Sequence, residues 1–159
     1  MEDGSVYAWG RNQYGQLGIG NNENQNVPQK VESLENVKEI ICAIYHTFAL
    51  MEDRSFYSWG MNHCGQLGIG NNQGRNLPQK VVSLENVEEI RCGYFHTIAL
   101  TEEGSVYTWG LNDYGQLGIG HNEDQYIPQK LEAFENTKQM KCGGYHTFIL
   151  MEDGSVYAW

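Results

Sequence analysis

The chain has 159 residues, of which 40% are apolar, and its formal net charge is −10. This composition suits one domain with a buried core and excludes a disordered or collagen-like chain. No apolar run reaches the roughly 18 residues that a membrane-spanning helix needs. Met1–Gly4 has no basic residue of the kind that begins a signal peptide. The excess of acidic residues argues against nucleic acid and anionic membranes as partners.

The sequence repeats itself every 50 residues without an insertion. Met1–Leu50, Met51–Leu100 and Thr101–Leu150 are three copies, and Met151–Trp159 repeats Met1–Trp9 letter for letter. We therefore predict a single repeat domain over residues 1–159, in which residues 151–159 form a partial fourth copy. A fixed period of this length indicates a repeat architecture. The positions that recur in phase include Trp9, Trp59 and Trp109, Pro28, Pro78 and Pro128, Cys42, Cys92 and Cys142, and His46, His96 and His146.

The first half of each copy predicts two strands around a turn. Val6 and Ala8 point to one side of a strand whose other side carries aromatic rings, so both faces of this strand are apolar. Gly15–Gly20 contains too many glycines for a helix and predicts a tight turn leading into a short strand. Pro28–Val31 fits an outer edge strand, because a proline there removes no ladder hydrogen bond. Ser33–Lys38 is compatible with one or two turns of helix.

The second half of each copy predicts a β-hairpin. Ile40–Leu50 is apolar and rich in residues that favour strands, and Ser55–Trp59 is a second run of the same kind. In the later copies Gly104 and Gly154 lie between the two runs, and an acidic residue followed by glycine is a strong hairpin signal because the turn requires a positive φ. Arg54 replaces this glycine in the second copy, so we expect a strained turn or a turn of another type there.

Small sheets that are apolar on both faces must be covered on both sides, and packing them face to face gives a β-propeller. The predicted fold class is all-β: propeller blades of four-stranded antiparallel sheets in an incomplete ring of about three blades. We expect two complete blades, one blade without its first strand, and one further hairpin at the end. Two explanations remain open: the chain is a fragment of a longer propeller, or copies associate to complete a ring.

The motif Tyr-x-Trp-Gly-x-Asn-x-x-Gly-Gln-Leu-Gly-x-Gly occurs at Tyr107–Gly120, and Cys-Gly-x-x-His-Thr-x-x-Leu follows at Cys142–Leu150. Together, with Pro128 between them, they resemble the regulator of chromosome condensation repeat. The resemblance covers the whole chain and implies a propeller that normally has seven blades. It also implies either a protein-interaction role or guanine-nucleotide exchange on a small Ran-type GTPase, the founding activity of the family. Ala43 departs from the pattern, because the other copies have glycine at this position.

The recurring histidines and cysteines are interpreted as structural. A residue needed once for chemistry would not recur in every blade, and buried histidines usually have hydrogen-bond partners. No Cys-x-x-Cys pair indicates a metal site, and Gly15–Gly20 lacks the Lys-Ser/Thr ending of a phosphate-binding loop. We predict no catalytic residue, no cofactor and no metal, and thus a protein that is not an enzyme. Small buried thiols without a signal peptide indicate the cytoplasm or the nucleus.

Positions that differ between copies are those that the scaffold leaves free, and loops beside short strands are where propellers bind. The candidate interface residues are Arg11, Met61, His63, Tyr94 and Leu111. The leading hypothesis is a non-enzymatic protein-interaction module, a scaffold whose acidic balance favours a basic partner surface. Nucleotide exchange on a small GTPase is the alternative. A hydrolase or metalloenzyme finds no supporting motif.

Overall fold

The computed structural model describes residues 5–159, so Met1–Gly4 lie outside the described part. All regular structure in residues 5–159 is β, and these residues include no helix that could cross a membrane. The strands are β1 (Tyr7–Gly10), β2 (Gln25–Lys30), β3 (Val37–Cys42), β4 (His46–Met51), β5 (Phe56–Gly60), β6 (Arg75–Lys80), β7 (Val87–Cys92), β8 (His96–Thr101), β9 (Val106–Gly110), β10 (Gln125–Leu131), β11 (Thr137–Cys142), β12 (Thr147–Met151) and β13 (Val156–Ala158).

The strands form four antiparallel sheets that follow the chain order. β3–β6 and β7–β10 are complete four-stranded blades, which confirms the predicted fold class. β1 and β2 form a two-stranded sheet, and β11–β13 form a three-stranded one. Strand β7 contacts both β3 and β11, the first strands of the neighbouring sheets, at the inner side of the blades. β2, β6 and β10 are the outer edge strands, as their prolines predicted.

The predicted strand inventory was wrong for the two incomplete sheets. Ile40–Leu50, which we treated as one run, divides into β3 and β4 around residues 43–45. The last unit therefore has three strands where a hairpin was expected. In residues 5–159 the first sheet has two strands where three were expected, because Gly15–Gly20 forms no strand: Gly15, Gly18 and Gly20 all have positive φ, which a strand does not accommodate. Ser33–Lys38 forms no helix and leads into β3.

A buried asparagine organises each of the long loops that follow β1, β5 and β9. Asn12 accepts a hydrogen bond from the Leu17 amide at 2.9 Å and donates to the Asn21 carbonyl at 2.9 Å. Asn62 and Asn112 make the same two kinds of contact fifty and a hundred residues later. Because these bonds satisfy loop backbone that would otherwise be unpaired, the recurrence of asparagine has a structural cause.

The hairpin turn between β4 and β5 has the same conformation as the equivalent turns of the later copies, although Arg54 replaces glycine in it. Arg54 has φ 65°, close to the 76° of Gly104 and the 86° of Gly154. The Arg54 amide donates to the Met51 carbonyl at 3.0 Å, as Gly104 does to Thr101 at 2.9 Å. A turn of another type is therefore excluded. The arginine occupies the left-handed region that favours glycine, and its guanidinium pairs with Glu102.

Neighbouring blades are joined by one repeated link. The Gln16 carbonyl accepts hydrogen bonds from Thr47 Oγ1 at 2.9 Å and from Trp59 Nε1 at 2.8 Å, both in the next blade. A Cβ at Gly18 would lie 2.7 Å from that indole nitrogen, so only glycine admits the ring. The carbonyls of Gln66 and Gln116 repeat this link with the following blades.

The core lies in the layers between the blades. Phe48, Phe56, Ile90 and Trp109 form the largest buried cluster, between the two complete blades. Trp9, the counterpart of Trp109 in the first sheet, is 61% exposed because no described loop precedes it to accept its indole. The repeat thus stabilises itself by contacts from one blade to the next.

Candidate interaction face

The blades present two ends with different chemistry. The loop face consists of the long loops 11–24, 61–74 and 111–124 together with the short connections 43–45, 93–95 and 143–146. Both kinds of loop meet there, because the Met61 amide donates to the Tyr45 carbonyl at 2.8 Å and the Leu111 amide to Phe95 at 2.9 Å. The opposite end, the turn face, carries the hairpin turns 52–55, 102–105 and 152–155.

Aromatic side chains form a continuous row across the loop face. We define the aromatic row as Tyr14, Tyr45, Phe95, Tyr145 and Tyr114, in the order of their contacts. The successive ring centroids are 5.1, 5.9, 6.3 and 5.5 Å apart. Each step joins residues of different blades or neighbouring connections, so the row spans the described propeller segment. Such rings offer a rigid surface that combines apolar area with hydroxyl groups, which is typical of protein interfaces.

Arg11 lies over one end of the aromatic row. Its guanidinium carbon is 5.2 Å from the ring centre of Tyr45 and 5.8 Å from that of Tyr14. The same guanidinium donates to Gln13 Oε1 at 2.6 Å, which fixes its position. These distances are those of a cation–π contact.

The other candidate interface residues divide into exposed and buried positions. Tyr94 is 43% exposed and packs edge-on against Tyr145, with ring centres 5.3 Å apart. His63 is exposed and Met61 half-buried, and both line a groove of about 320 Å³ on the loop face. Leu111 is only 9% exposed, so it belongs to the core and not to the rim. It directly follows β9, which ends at Gly110.

Sequence reasoning did not identify the five residues of the aromatic row as site residues. A signal was present, because aromatic residues occupy positions 45, 95 and 145 in every copy and positions 14 and 114 in two of three. Their contacts join positions 31 or 50 residues apart, and these separations become meaningful only when one blade is placed against the next. The recurring aromatic positions were therefore visible in the sequence, but the contacts that join them into a row were not.

The recurring histidines have three different environments. His96 is buried, and its Nε2 is 3.1 Å from Thr147 Oγ1 of the next blade. His46 is also buried, but neither of its ring nitrogens has a hydrogen-bond partner among the described residues. His146 is exposed. Burial lowers the pKa of His46 to about 3 and that of His96 to about 4, with a smaller contribution from the neighbouring histidine.

The recurring cysteines are less buried than we predicted. Cys92 and Cys142 are partly covered, and desolvation raises the pKa of the Cys142 thiol to about 12. Cys42 is exposed, because the first sheet has no described inner strand to cover β3. All four cysteines are free, and no group of three or more His, Cys, Asp or Glu side chains in residues 5–159 is arranged to hold a metal.

The turn face is acidic. Its hairpin turns expose a pair of acidic residues in each of three blades, and Arg54 offsets part of this charge by pairing with Glu102. The acidic residues of the turns are Glu52, Asp53, Glu102, Glu103, Glu152 and Asp153. The two ends of the blades thus differ: the loop face carries the aromatic row, and each hairpin turn of the turn face carries a pair of acidic residues.

Tandem four-stranded blades, in which the outer strand of one blade is followed by the inner strand of the next and long loops lie at one end, define a β-propeller repeat protein. The family model described as the RCC1-like domain matches residues 1–159. The chain belongs to the RCC1-like domain family.

Individual relatives agree with this assignment. The chain is 44% identical over 50 residues to the ultraviolet-B receptor UVR8 of Arabidopsis thaliana, a match that covers 30% of this chain and 11% of the receptor. It superposes on yeast RCC1 (Prp20) in complex with Kap60 with a TM-score of 0.85 at 28% identity, covering 98% of this chain and 39% of that one. Human WBSCR16, at 23% identity, gives a TM-score of 0.85 over 100% of this chain and 43% of its own. The chain thus spans well under half the length of these relatives.

Proposed function

We propose that this chain is a non-enzymatic protein-interaction module that binds its partner on the loop face. The observation that carries the proposal is the aromatic row, which crosses the propeller segment on the loop face. Tyr114 and Tyr145 are exposed, and the other three rings are half-buried. Rigid aromatic side chains lose little conformational entropy on binding and are enriched where proteins contact one another. The row is flanked by residues that differ between copies, so one scaffold can present a specific surface.

The recurring polar groups support a structural role and not a catalytic one. Gln16, Thr47 and Trp59 are engaged with one another across blades, and Asn12 is engaged inside its own loop. A nucleophile or general base must be free to meet a substrate, with its own activating partner in reach. His46 and His96 are buried and so are not accessible from solvent. The side chains that a partner can reach are those of the loop face.

The relatives support a protein partner. One solved structure shows yeast Prp20 bound to Kap60, and another concerns the binding of Saccharomyces cerevisiae Prp20p to Gsp1p and histones, at 26% identity, with a TM-score of 0.81 over 41% of that chain. Four free thiols favour a reducing compartment, so we expect the partner in the cytoplasm or nucleus.

The test is affinity capture on the immobilised chain with matched surface variants. Arg11→Ala combined with Tyr94→Ala alters the loop face, and Glu52→Gln combined with Glu103→Gln alters the turn face. We expect the first pair to lose the captured protein at least tenfold and the second pair to retain it. Equal capture by all three chains, or loss only with the turn-face pair, would remove the proposal.

Nucleotide exchange on a Ran-type GTPase is the second candidate, favoured by the similarity to Prp20 over 98% of the chain. Exchange would be measured as the release of a fluorescent guanine nucleotide from the loaded GTPase when the chain is added. A rate above the intrinsic one that is lost in the Arg11 and Tyr94 variants would establish it. A rate equal to the intrinsic one would leave the interaction module as the function.

A further inference from the structure

The aromatic row is interrupted at one position. Tyr14 covers the ring of Tyr45 in the next blade, and Tyr114 covers Tyr145 in the same way, with ring centres 5.1 and 5.5 Å apart. Between them the equivalent residue is Cys64, whose counterpart in the next blade is Phe95. The Cys64 amide bonds to the Gln66 side chain as the two tyrosine amides bond to Gln16 and Gln116, so the turn is the same. The side chains around it differ: the phenol ring at position 64 is missing, and Tyr126 lies against Gly65 where Asn76 lies against Gly15.

Position 64 gives Phe95 no ring of the kind that Tyr14 and Tyr114 give to Tyr45 and Tyr145. The rings of Tyr45 and Tyr145 flank the half-buried Phe95 at 5.9 and 6.3 Å. We call this place, lined by Cys64, Phe95, Tyr45 and Tyr145, the notch.

The charge beside the notch is negative. Asp113 and Asp124 lie in the next long loop and act on the Cys64 thiol, which also bonds to Asp124. Asp113 is exposed and Asp124 half-buried, and Asp124 Oδ1 accepts a hydrogen bond from the Asn112 amide at 2.8 Å. Desolvation raises the pKa of Asp124 and the neighbouring Asp113 adds to the increase, whereas the bond from Asn112 acts in the opposite direction. None of the ion pairs found in residues 5–159 includes either aspartate. A cation placed there would relieve this repulsion.

The first junction shows which cation fits. Arg11 places its guanidinium over Tyr14 and Tyr45, at 5.8 and 5.2 Å. At the notch the residue equivalent to Arg11 is Met61, so the chain provides no guanidinium of its own. A planar guanidinium stacks on an aromatic ring and forms paired hydrogen bonds with carboxylates, whereas an ammonium does neither as well.

We propose that the notch binds an arginine side chain of a partner polypeptide, with the guanidinium stacked on Phe95 and paired with Asp113 and Asp124. This inference rests on the proposed function and specifies the chemistry of the partner. According to this inference, partners are selected where the second and third blades meet, and not equally over the whole loop face.

The test uses the isotopically labelled full chain and a short synthetic peptide with one central arginine between glycines. The control is the same peptide with lysine in place of the arginine. We expect chemical-shift changes at Phe95, Cys64 and Asp113 that saturate as the arginine peptide is added and that are at least fivefold smaller with the lysine peptide. Cys64→Tyr closes the notch with the residue that the other copies use, without changing the charge, and should abolish these shifts. Cys64→Ala keeps the notch open and should preserve them.

Two outcomes would overturn the inference: Cys64→Tyr binding the peptide as well as the parent chain does, or shift changes confined to the acidic turn face. The resonances of both variants also report whether the fold is intact. The outcome is separable from the proposed function. If Cys64→Tyr still captures the partner but the Arg11 and Tyr94 variants do not, the loop face binds without an arginine in the notch. If none of these variants affects capture, the proposed function itself fails.

Discussion

The imidazole of His96 occupies the space that a side chain on Gly93 would need. A Cβ at Gly93 would overlap the ring, and the third blade repeats the arrangement between Gly143 and His146. In this position His96 reaches Thr147 of the next blade at 3.1 Å. Ala43 carries a real Cβ at the equivalent place, which excludes the His46 ring from it and explains why His46 has no partner among the described residues.

Gly93→Ala should therefore displace His96 and break its bond to Thr147. We expect the free energy of unfolding to fall by about 1–3 kcal/mol, since a buried polar group loses its partner. Urea denaturation followed by tryptophan fluorescence measures the change. Ala43→Gly is the matched reverse substitution and should alter stability by less than about 1 kcal/mol, because the hydrogen bond gained offsets the greater freedom of the unfolded chain. A neutral Gly93→Ala would contradict the steric relationship.

Trp109 joins two blades through its bond to the Gln66 carbonyl at 2.9 Å and is fully buried. Trp109→Ala should destabilise the chain by about 3–5 kcal/mol through the cavity that it leaves. Trp9→Ala, at the same position of the repeat but exposed, should cost less than about 0.5 kcal/mol. Thermal and urea unfolding of the two variants compare them directly. Equal losses would mean that the inter-blade link does not stabilise the fold.

Arg54 holds a positive φ that glycine holds in the next two turns. Arg54→Gly should raise the free energy of unfolding by about 1 kcal/mol, since relief of the left-handed conformation outweighs the loss of a half-exposed ion pair with Glu102. Gly104→Arg makes the opposite change and should lower it by a similar amount. The urea midpoints of the two variants measure both changes in the free energy of unfolding, provided that the dependence of this free energy on urea concentration stays the same. A destabilised Arg54→Gly would show that the ion pair dominates.

The buried histidines predict a loss of stability in mild acid. The pKa values of His46 and His96, about 3 and about 4 in the fold, lie below the 6.5 of an unfolded histidine. The unfolded chain takes up these protons first, so the stabilisation is complete above pH 6.5 and decreases as the pH falls towards 4. Each histidine should remove about 2 kcal/mol between pH 7 and pH 5.

Urea midpoints at pH 7, 6 and 5 measure this slope. His96→Gln removes one titrating group, so its stability should depend less steeply on pH than that of the parent chain. Identical slopes would show that His96 is protonated as readily in the fold as in the unfolded chain.

The regular part of the fold was predictable because the three copies show the same local sequence pattern. Pro78 marked an outer edge strand, and Gly104 marked a hairpin turn. The boundary between β3 and β4 was missed, since Ala43–Tyr45 is too apolar to indicate a loop; the glycines at the equivalent positions 93, 143 and 144 were the signal that could have located it. Cys42 and Leu111 were misplaced because their exposure depends on which neighbouring strand or loop covers them.

The aromatic row was missed for a similar reason. Tyr14 and Tyr45 are far apart in sequence, and their contact depends on the angle between two blades. Within one copy each is a single aromatic residue beside a turn. Arg11 and Tyr94 were selected because they vary, and both contact the row, so variation between copies identified its surroundings and not the row itself.

The most direct test of the loop face is hydrogen–deuterium exchange of the chain with and without its captured partner. We predict slower exchange in the connections 43–45 and 93–95 and in the loops 61–74 and 111–124, and unchanged exchange in the turns 52–55 and 102–105. Protection confined to those acidic turns, with the aromatic loops exchanging as in the free chain, would contradict the assignment of binding to the loop face.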